Sequence, residues 1–214
     1  MAEVSYLQSL KNAVDALSPG ENITAKTRMA ITWFRGIIAR SVVLLKMESQ
    51  PHHDLIKDAY AKEGGLTSRM WLGRMYFFVY NPKHKATLPY YDMFPLVLPV
   101  ERYSDGFLGI NFHYLSPKDR AVLLDEIKIF ANDKTLKETT RIRLTYDMLR
   151  GFTKFRRAKP CLKRYLTTYM KTQFIPVLPD EWGPAIFLPL ENFKKKSKAG
   201  VWQDSKEIYS AIRQ

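Results

Sequence analysis

Cysteine is almost missing from these 214 residues: Cys161 stands alone. An intrachain disulfide is therefore excluded, and a reducing compartment suits the chain. A lone free cysteine is most often a small buried apolar residue, and that is the role expected for Cys161. No window reaches the ~18 uncharged apolar residues of a membrane-spanning helix. The opening MAEVSYLQSL has neither the basic start nor the long apolar run of a signal peptide, so a cytosolic product is expected. Phosphate-cradling glycine loops, nucleophile elbows and zinc-ligand spacings are also absent, which argues against an enzyme, a cofactor and a small-molecule substrate. Acids are missing from one long stretch, residues 148–179.

Positive charge is what the sequence has in excess. Lys and Arg number 34 against 21 Asp and Glu, a formal +13. The surplus is uneven: residues 1–115 carry 13 basic and 10 acidic side chains (+3), and residues 116–214 carry 21 and 11 (+10). A field concentrated in this way attracts polyanions. The acid-free stretch holds Arg150, Lys154, Arg156, Arg157, Lys159, Lys163, Arg164 and Lys171, and a second run holds Lys194, Lys195, Lys196 and Lys198. These are the candidate DNA-binding residues, suited to neutralising backbone phosphates and releasing their counterions. Nothing in their spacing reads bases. The plainer alternatives are a solvated face and a surface that docks an acidic protein neighbour. Tyr165 and Tyr169 lie among the cations, but they share an apolar stripe with Leu162 and Leu166, where a core role is the simpler reading.

The pattern of apolar residues predicts helices over residues 3–17 and 24–48 and a short one over 54–62. From 75 to 80, Met75, Phe77 and Val79 alternate with Tyr76, Phe78 and Tyr80, the period of a strand with useful side chains on both faces. Residues 96–98 and 107–114 read as the arms of a hairpin around Ser104-Asp105-Gly106, with Leu108, Ile110, Phe112 and Tyr114 on the core side. Ser116-Pro117-Lys118-Asp119 starts a helix reaching about Ala131, and Thr135 to Glu138 starts another. A third helix is predicted over 161–171, extended chain over 174–179 and 185–190, a solvated basic loop at 194–198 and a short helix over 204–212. Leu98-Pro99-Val100-Glu101 is echoed by Leu188-Pro189-Leu190-Glu191. Both are expected to leave the sheet as edge strands, where proline is tolerated.

The fold class expected is α+β: a small, strongly bent antiparallel sheet or SH3-like barrel, flanked by N-terminal and inserted helices. Residues 1–65 form an N-terminal helical region. Residues 66–193 form the core domain, with helices inserted over 116–171, and 194–214 form a basic C-terminal segment.

Other chemistry is sparse. His52, His53 and Asp54 lack a further ligand at helical spacing, so no metal site is assigned. His113 shares a strand face with Asn111, and His84 sits in the basic turn Lys83-His84-Lys85, neither beside an evident catalytic partner. Asp92, Glu101, Asp105, Asp180 and Glu181 form no compact metal-nuclease triad.

Several long motifs carry a resemblance. They are Tyr80-Asn81-Pro82-Lys83-His84-Lys85, Leu88-Pro89-Tyr90-Tyr91-Asp92, Phe94-Pro95-Leu96, Gly106-Phe107-Leu108-Gly109, Asn111-Phe112-His113-Tyr114-Leu115, Lys159-Pro160-Cys161, Lys163-Arg164-Tyr165-Leu166, Glu181-Trp182 and Phe187-Leu188-Pro189. Over about residues 70–205 the set resembles the DNA end protector family of virion proteins from T-even-like contractile-tailed bacteriophages. The resemblance implies a protein that binds the ends of the packaged double-stranded genome and shields them from host exonuclease. It also implies head or neck proteins as partners, no membrane, and a place in the virion near the head-tail junction after assembly in the host cytoplasm. No catalytic residue is implied. The alternative is a purely structural neck, tail or baseplate component whose charge meets acidic neighbours.

Overall fold

The computed structural model describes residues 27–36, 67–131 and 156–212. Five strands, β1 (Met75–Phe77), β3 (Leu96–Tyr103), β4 (Gly106–Asn111), β5 (Leu162–Leu166) and β6 (Ile175–Val177), pair antiparallel in the order β5-β4-β3-β1-β6. Two further strands, β2 (Tyr91–Asp92) and β7 (Phe193–Lys194), pair only with each other. The class is α+β, as expected, and the sheet is open rather than closed into a barrel.

Alternation along β1 decides how the sheet is covered. Met75, Phe77 and Val79 enter the main core with Leu96, Leu98, Ile110 and Phe112. Tyr76, Phe78 and Tyr80 enter a second, aromatic core with Val97, Phe107, Tyr165 and Phe174. Both faces are therefore dry, and neither tolerates a one-residue slip of register. Rings dominate the second core: Tyr165 lies 5.0 Å from Tyr80, 5.2 Å from Phe78 and 5.3 Å from Phe107 between ring centroids.

The β3–β4 hairpin forms where the sequence places it, with Tyr103 opposite Gly106 across Ser104-Asp105. Gly106 and Gly109 are needed for close approach. A Cβ at Gly106 would lie 1.9 Å from the Tyr165 carbonyl oxygen, and one at Gly109 would lie 2.3 Å from Val97 Cγ1. Any side chain at either position would push β4 away from its neighbours.

Helices close the main core. The described part of the N-terminal helix, residues 27–36 (α1), buries Ala30, Ile31 and Phe34, and Phe34 meets Phe77 edge-on at 5.2 Å. Helix α2 (Pro117–Ala131) begins as predicted: Ser116 Oγ accepts from the Asp119 N–H at 3.3 Å and donates to Asp119 Oδ2 at 2.7 Å. A five-residue α3 (Trp182–Ile186) and a terminal α4 (Lys198–Ala211) complete the layer. Arg120 of α2 is fully buried. It donates to the Leu115 and Ile186 carbonyls at 2.8 and 3.1 Å and pairs with the buried Glu191.

Several sequence expectations are corrected. Residues 161–171 are not a helix: a 3₁₀ turn (Arg156–Cys161) leads into β5 on the free edge of β4. The stripe Leu162, Tyr165, Leu166, Tyr169 mimics helical spacing, but edge pairing with β4 satisfies the backbone along five residues and sends Tyr165 into the aromatic core. The run 185–190, expected as extended chain, forms no strand: its first two residues end a helix that begins at Trp182, in whose first turn the missing N–H of Pro184 costs nothing. The proline echo does not mark two edge strands. β3 lies inside the sheet, with Pro99 beside a register shift between Pro99 and Glu101, and residues 188–190 belong to no strand. The segment predicted as a solvated loop carries β7, and α4 begins at Lys198, earlier than expected, with Ser197 Oγ accepting from the Gly200 N–H at 3.2 Å.

The helices expected over 3–17, over 54–62 and from Thr135, the rest of 24–48, the His52-His53-Asp54 cluster, and Arg150 and Lys154 all lie outside the described residues.

Candidate nucleic-acid interface

One buried carboxylate shapes the candidate interface. Asp92 Oδ1 accepts from the backbone N–H groups of Phe94 and Asn192, both at 3.1 Å. Its Oδ2 takes the Asn111 amide at 3.2 Å and faces His113 Nδ1 at 2.8 Å. Burial alone would raise the Asp92 pKa. The His113 ring, the Asn111 amide and the Phe94 N–H outweigh it and hold the carboxyl below the usual aspartate range. His113 therefore has a partner that the sequence did not reveal. The network pins β2 to the end of β4 and to the residue before β7.

That anchor brings together segments distant in sequence. The loop 82–90 turns on bonds from the Leu88 and Thr87 N–H groups to the His84 carbonyl, both 3.0 Å. Lys195, in the left-handed region at φ 71°, reaches back to it and donates to the Ala86 and Leu88 carbonyls at 2.7 and 2.8 Å. Lys196 bonds Asp204 at 2.6 and 2.7 Å and lies 5.5 Å from the Tyr90 ring centroid. Pairing of Tyr91 with Lys194 sets the second basic run beside this loop.

Between the loop and β5 lies a cavity of about 620 Å³. Tyrosines 80, 90, 91, 114 and 165 line it, with Lys83, His84, Lys163 and Arg164. Burial pushes the Tyr90 hydroxyl up to about 12, with nearby Asp204 adding to the rise, and burial raises Tyr114 and Tyr165 further. The Tyr90, Tyr114 and Tyr165 phenols are thus neutral at physiological pH. Among the described residues Asp92 is the one carboxylate in the lining, and it is engaged by His113 and Asn111. Lys163 sits half-buried in the wall, its Nζ 4.1 Å from the Tyr114 ring centroid. Burial lowers its pKa, and no carboxylate is paired with it among the described residues.

The predicted cations divide into distinct groups. Lys163, Arg164, Lys194, Lys195 and Lys196 converge on the loop and cavity. Arg164 is also paired with Asp105 and stacked 4.1 Å from the Tyr103 centroid, so part of its charge is neutralised. Arg157 bridges Asp119 and Glu126 of α2 at 3.3 and 3.2 Å, with Tyr209 of α4 on its other side. Arg156 and Lys159 belong to the same 3₁₀ turn as Arg157. Lys171 is exposed beyond β5, its N–H bonded to the Val79 carbonyl, and Lys198 lies 5.7 Å from the Trp202 ring. Sequence reasoning left out Lys83 and Lys85, both exposed on the loop, and Tyr90 and Tyr91. The triplet Lys83-His84-Lys85 was the available signal, but only the β2–β7 pairing shows which other cations it joins. Among the described residues no three His, Cys, Asp or Glu side chains group as a metal site, and no helix is long and apolar enough to cross a membrane.

The cavity, the hairpin and both basic runs fall within one family match. The model of the family described as phage T4 terminal DNA protecting protein matches residues 3–211. The chain belongs to this family. The match extends the resemblance, carried in the sequence by residues 70–205, to the N-terminal residues, α1 included. No curated protein and no solved structure matches the chain.

Proposed function

We propose that this protein binds the ends of linear double-stranded phage DNA through backbone contacts and shields them from exonuclease without catalysing any reaction. Family membership supports a role at DNA ends. The observation that carries the reading for this chain is the convergence of cations around the loop 82–90. Lys83, Lys85, Lys163, Lys194 and Lys195 meet there, and none has a carboxylate partner among the described residues. Such a face holds phosphates by charge and shape, which suits a DNA end of any sequence. Protection then follows from occupancy, because a bound terminus is unavailable to a nuclease. In the particle, the same reading places a few copies against head or neck proteins near the head-tail junction.

The test is an exonuclease challenge of blunt linear duplex across a salt series. Protection at low salt is expected, and with six phosphates engaged log K should fall against log salt with a slope of about −5. Failure to protect any linear duplex at low salt would overturn the reading. Cross-links in intact particles that reach only tail or baseplate chains would favour a structural component instead.

A further inference from the structure

We infer that the cavity between the loop 82–90 and β5 receives one unpaired terminal nucleotide of a DNA strand, its base against Tyr91 and its phosphate against Lys163. This rests on the end-binding reading and deepens it: a face that only coats backbone has no need of a cavity.

Size is the first argument. About 620 Å³ lies within the roughly 300–1,000 Å³ of sites that enclose small ligands. It accommodates a nucleotide but no length of duplex, so only a frayed strand end can enter. The lining is the second. Tyrosine rings offer flat apolar faces, and base stacking on such rings is tolerant of sequence, as an end-binding protein requires. Tyr91 suits that task because, unlike Tyr90, Tyr114 and Tyr165, it makes no ring contact among the described residues. Lys163 is the third. Its side chain is half-buried, its ammonium rests on the Tyr114 ring face, and it faces no acid among the described residues. A phosphate would supply the missing counter-charge, and Lys83 at the mouth would add to the attraction.

The experiment uses the full chain and a duplex with one open end, 5′-phosphorylated, carrying 2-aminopurine as its last base, the other end closed by a hairpin. A dumbbell closed at both ends is the reference. The expected result is quenching of 2-aminopurine on binding and about tenfold tighter binding to the open-ended duplex, the size of one stacked base. Tyr91→Leu should remove most of that preference while leaving dumbbell affinity within about twofold, and Lys163→Met, which also takes one cation from the backbone-binding face, should weaken binding to the open-ended duplex more than to the dumbbell. If Lys163→Met does not fold, Tyr91→Leu and the wild-type quenching still decide the matter. Unquenched 2-aminopurine with equal affinity for open and closed DNA would overturn the inference. If the protein still blocked exonuclease in that case, the end-protection reading would stand and coating alone would explain it. If it blocked none, that reading would fall, and the nucleotide site with it.

Discussion

His113 Nδ1 lies 2.8 Å from Asp92 Oδ2, with both side chains out of water. A carboxylate this deep is held by its hydrogen-bonding partners, so a change to the Asp92 side chain costs far more than the loss of an exposed pair. Asp92→Asn is therefore expected to destabilise the fold by about 3 kcal/mol at pH 7, as read by denaturant unfolding. The folded pKa of Asp92 is depressed, so the stabilisation is fully present above the ordinary aspartate range of about pH 4. It disappears as pH falls through the lower folded value. The gap between wild type and Asp92→Asn should narrow below pH 4; a gap constant from pH 7 to pH 2 would refute the assignment.

Gly106→Ala should be among the most damaging single substitutions. Its Cβ would lie 1.9 Å from a backbone oxygen of β5, which cannot yield as a flexible side chain could. A loss of about 4 kcal/mol or failure to fold is expected, whereas Gly183→Ala, with open space around it, should change the unfolding midpoint little.

The cations should separate by experiment into those that hold DNA and those that hold the fold. Replacing Lys83, Lys85 and Lys194 with Gln should leave thermal stability unchanged. Each replacement should reduce the salt dependence of DNA binding by about 0.9 in log–log slope. Arg157→Gln should do the reverse, lowering stability by about 1 kcal/mol through its partly exposed pairs with Asp119 and Glu126. Equal loss of DNA binding in all four variants would contradict this division.

Cys161 should be inert in the native protein. It is buried, its thiol donates to the Arg157 carbonyl at 3.2 Å, and burial pushes its pKa up to about 12. A thiol reagent at pH 8 should label it only after denaturant unfolds the chain. Rapid labelling under native conditions would show that the 3₁₀ turn opens readily.

Much was legible in the sequence wherever local chemistry alone decides the outcome. Alternation in 75–80 places two sets of side chains on two faces. Ser104-Asp105-Gly106 closes the hairpin, and Ser116-Pro117 starts α2. The surplus of positive charge, the single cysteine and the family motifs are likewise properties of the chain as written. Tertiary structure decided what depends on partners far along the chain. Residues 162–166 have helical spacing but become a strand because β4 offers a free edge. Asp92 and His113 are unremarkable 21 residues apart until the turn after β4 brings them together. Two basic runs that the sequence leaves separate both reach the loop 82–90, Lys163 and Arg164 by lining the cavity beside it and Lys195 by bonding its carbonyls, and packing against α2 neutralises Arg157 within the fold. Sequence sets how many charges the protein carries; the exposure and pairing of each, which govern whether it can meet a phosphate, follow only from the folded chain.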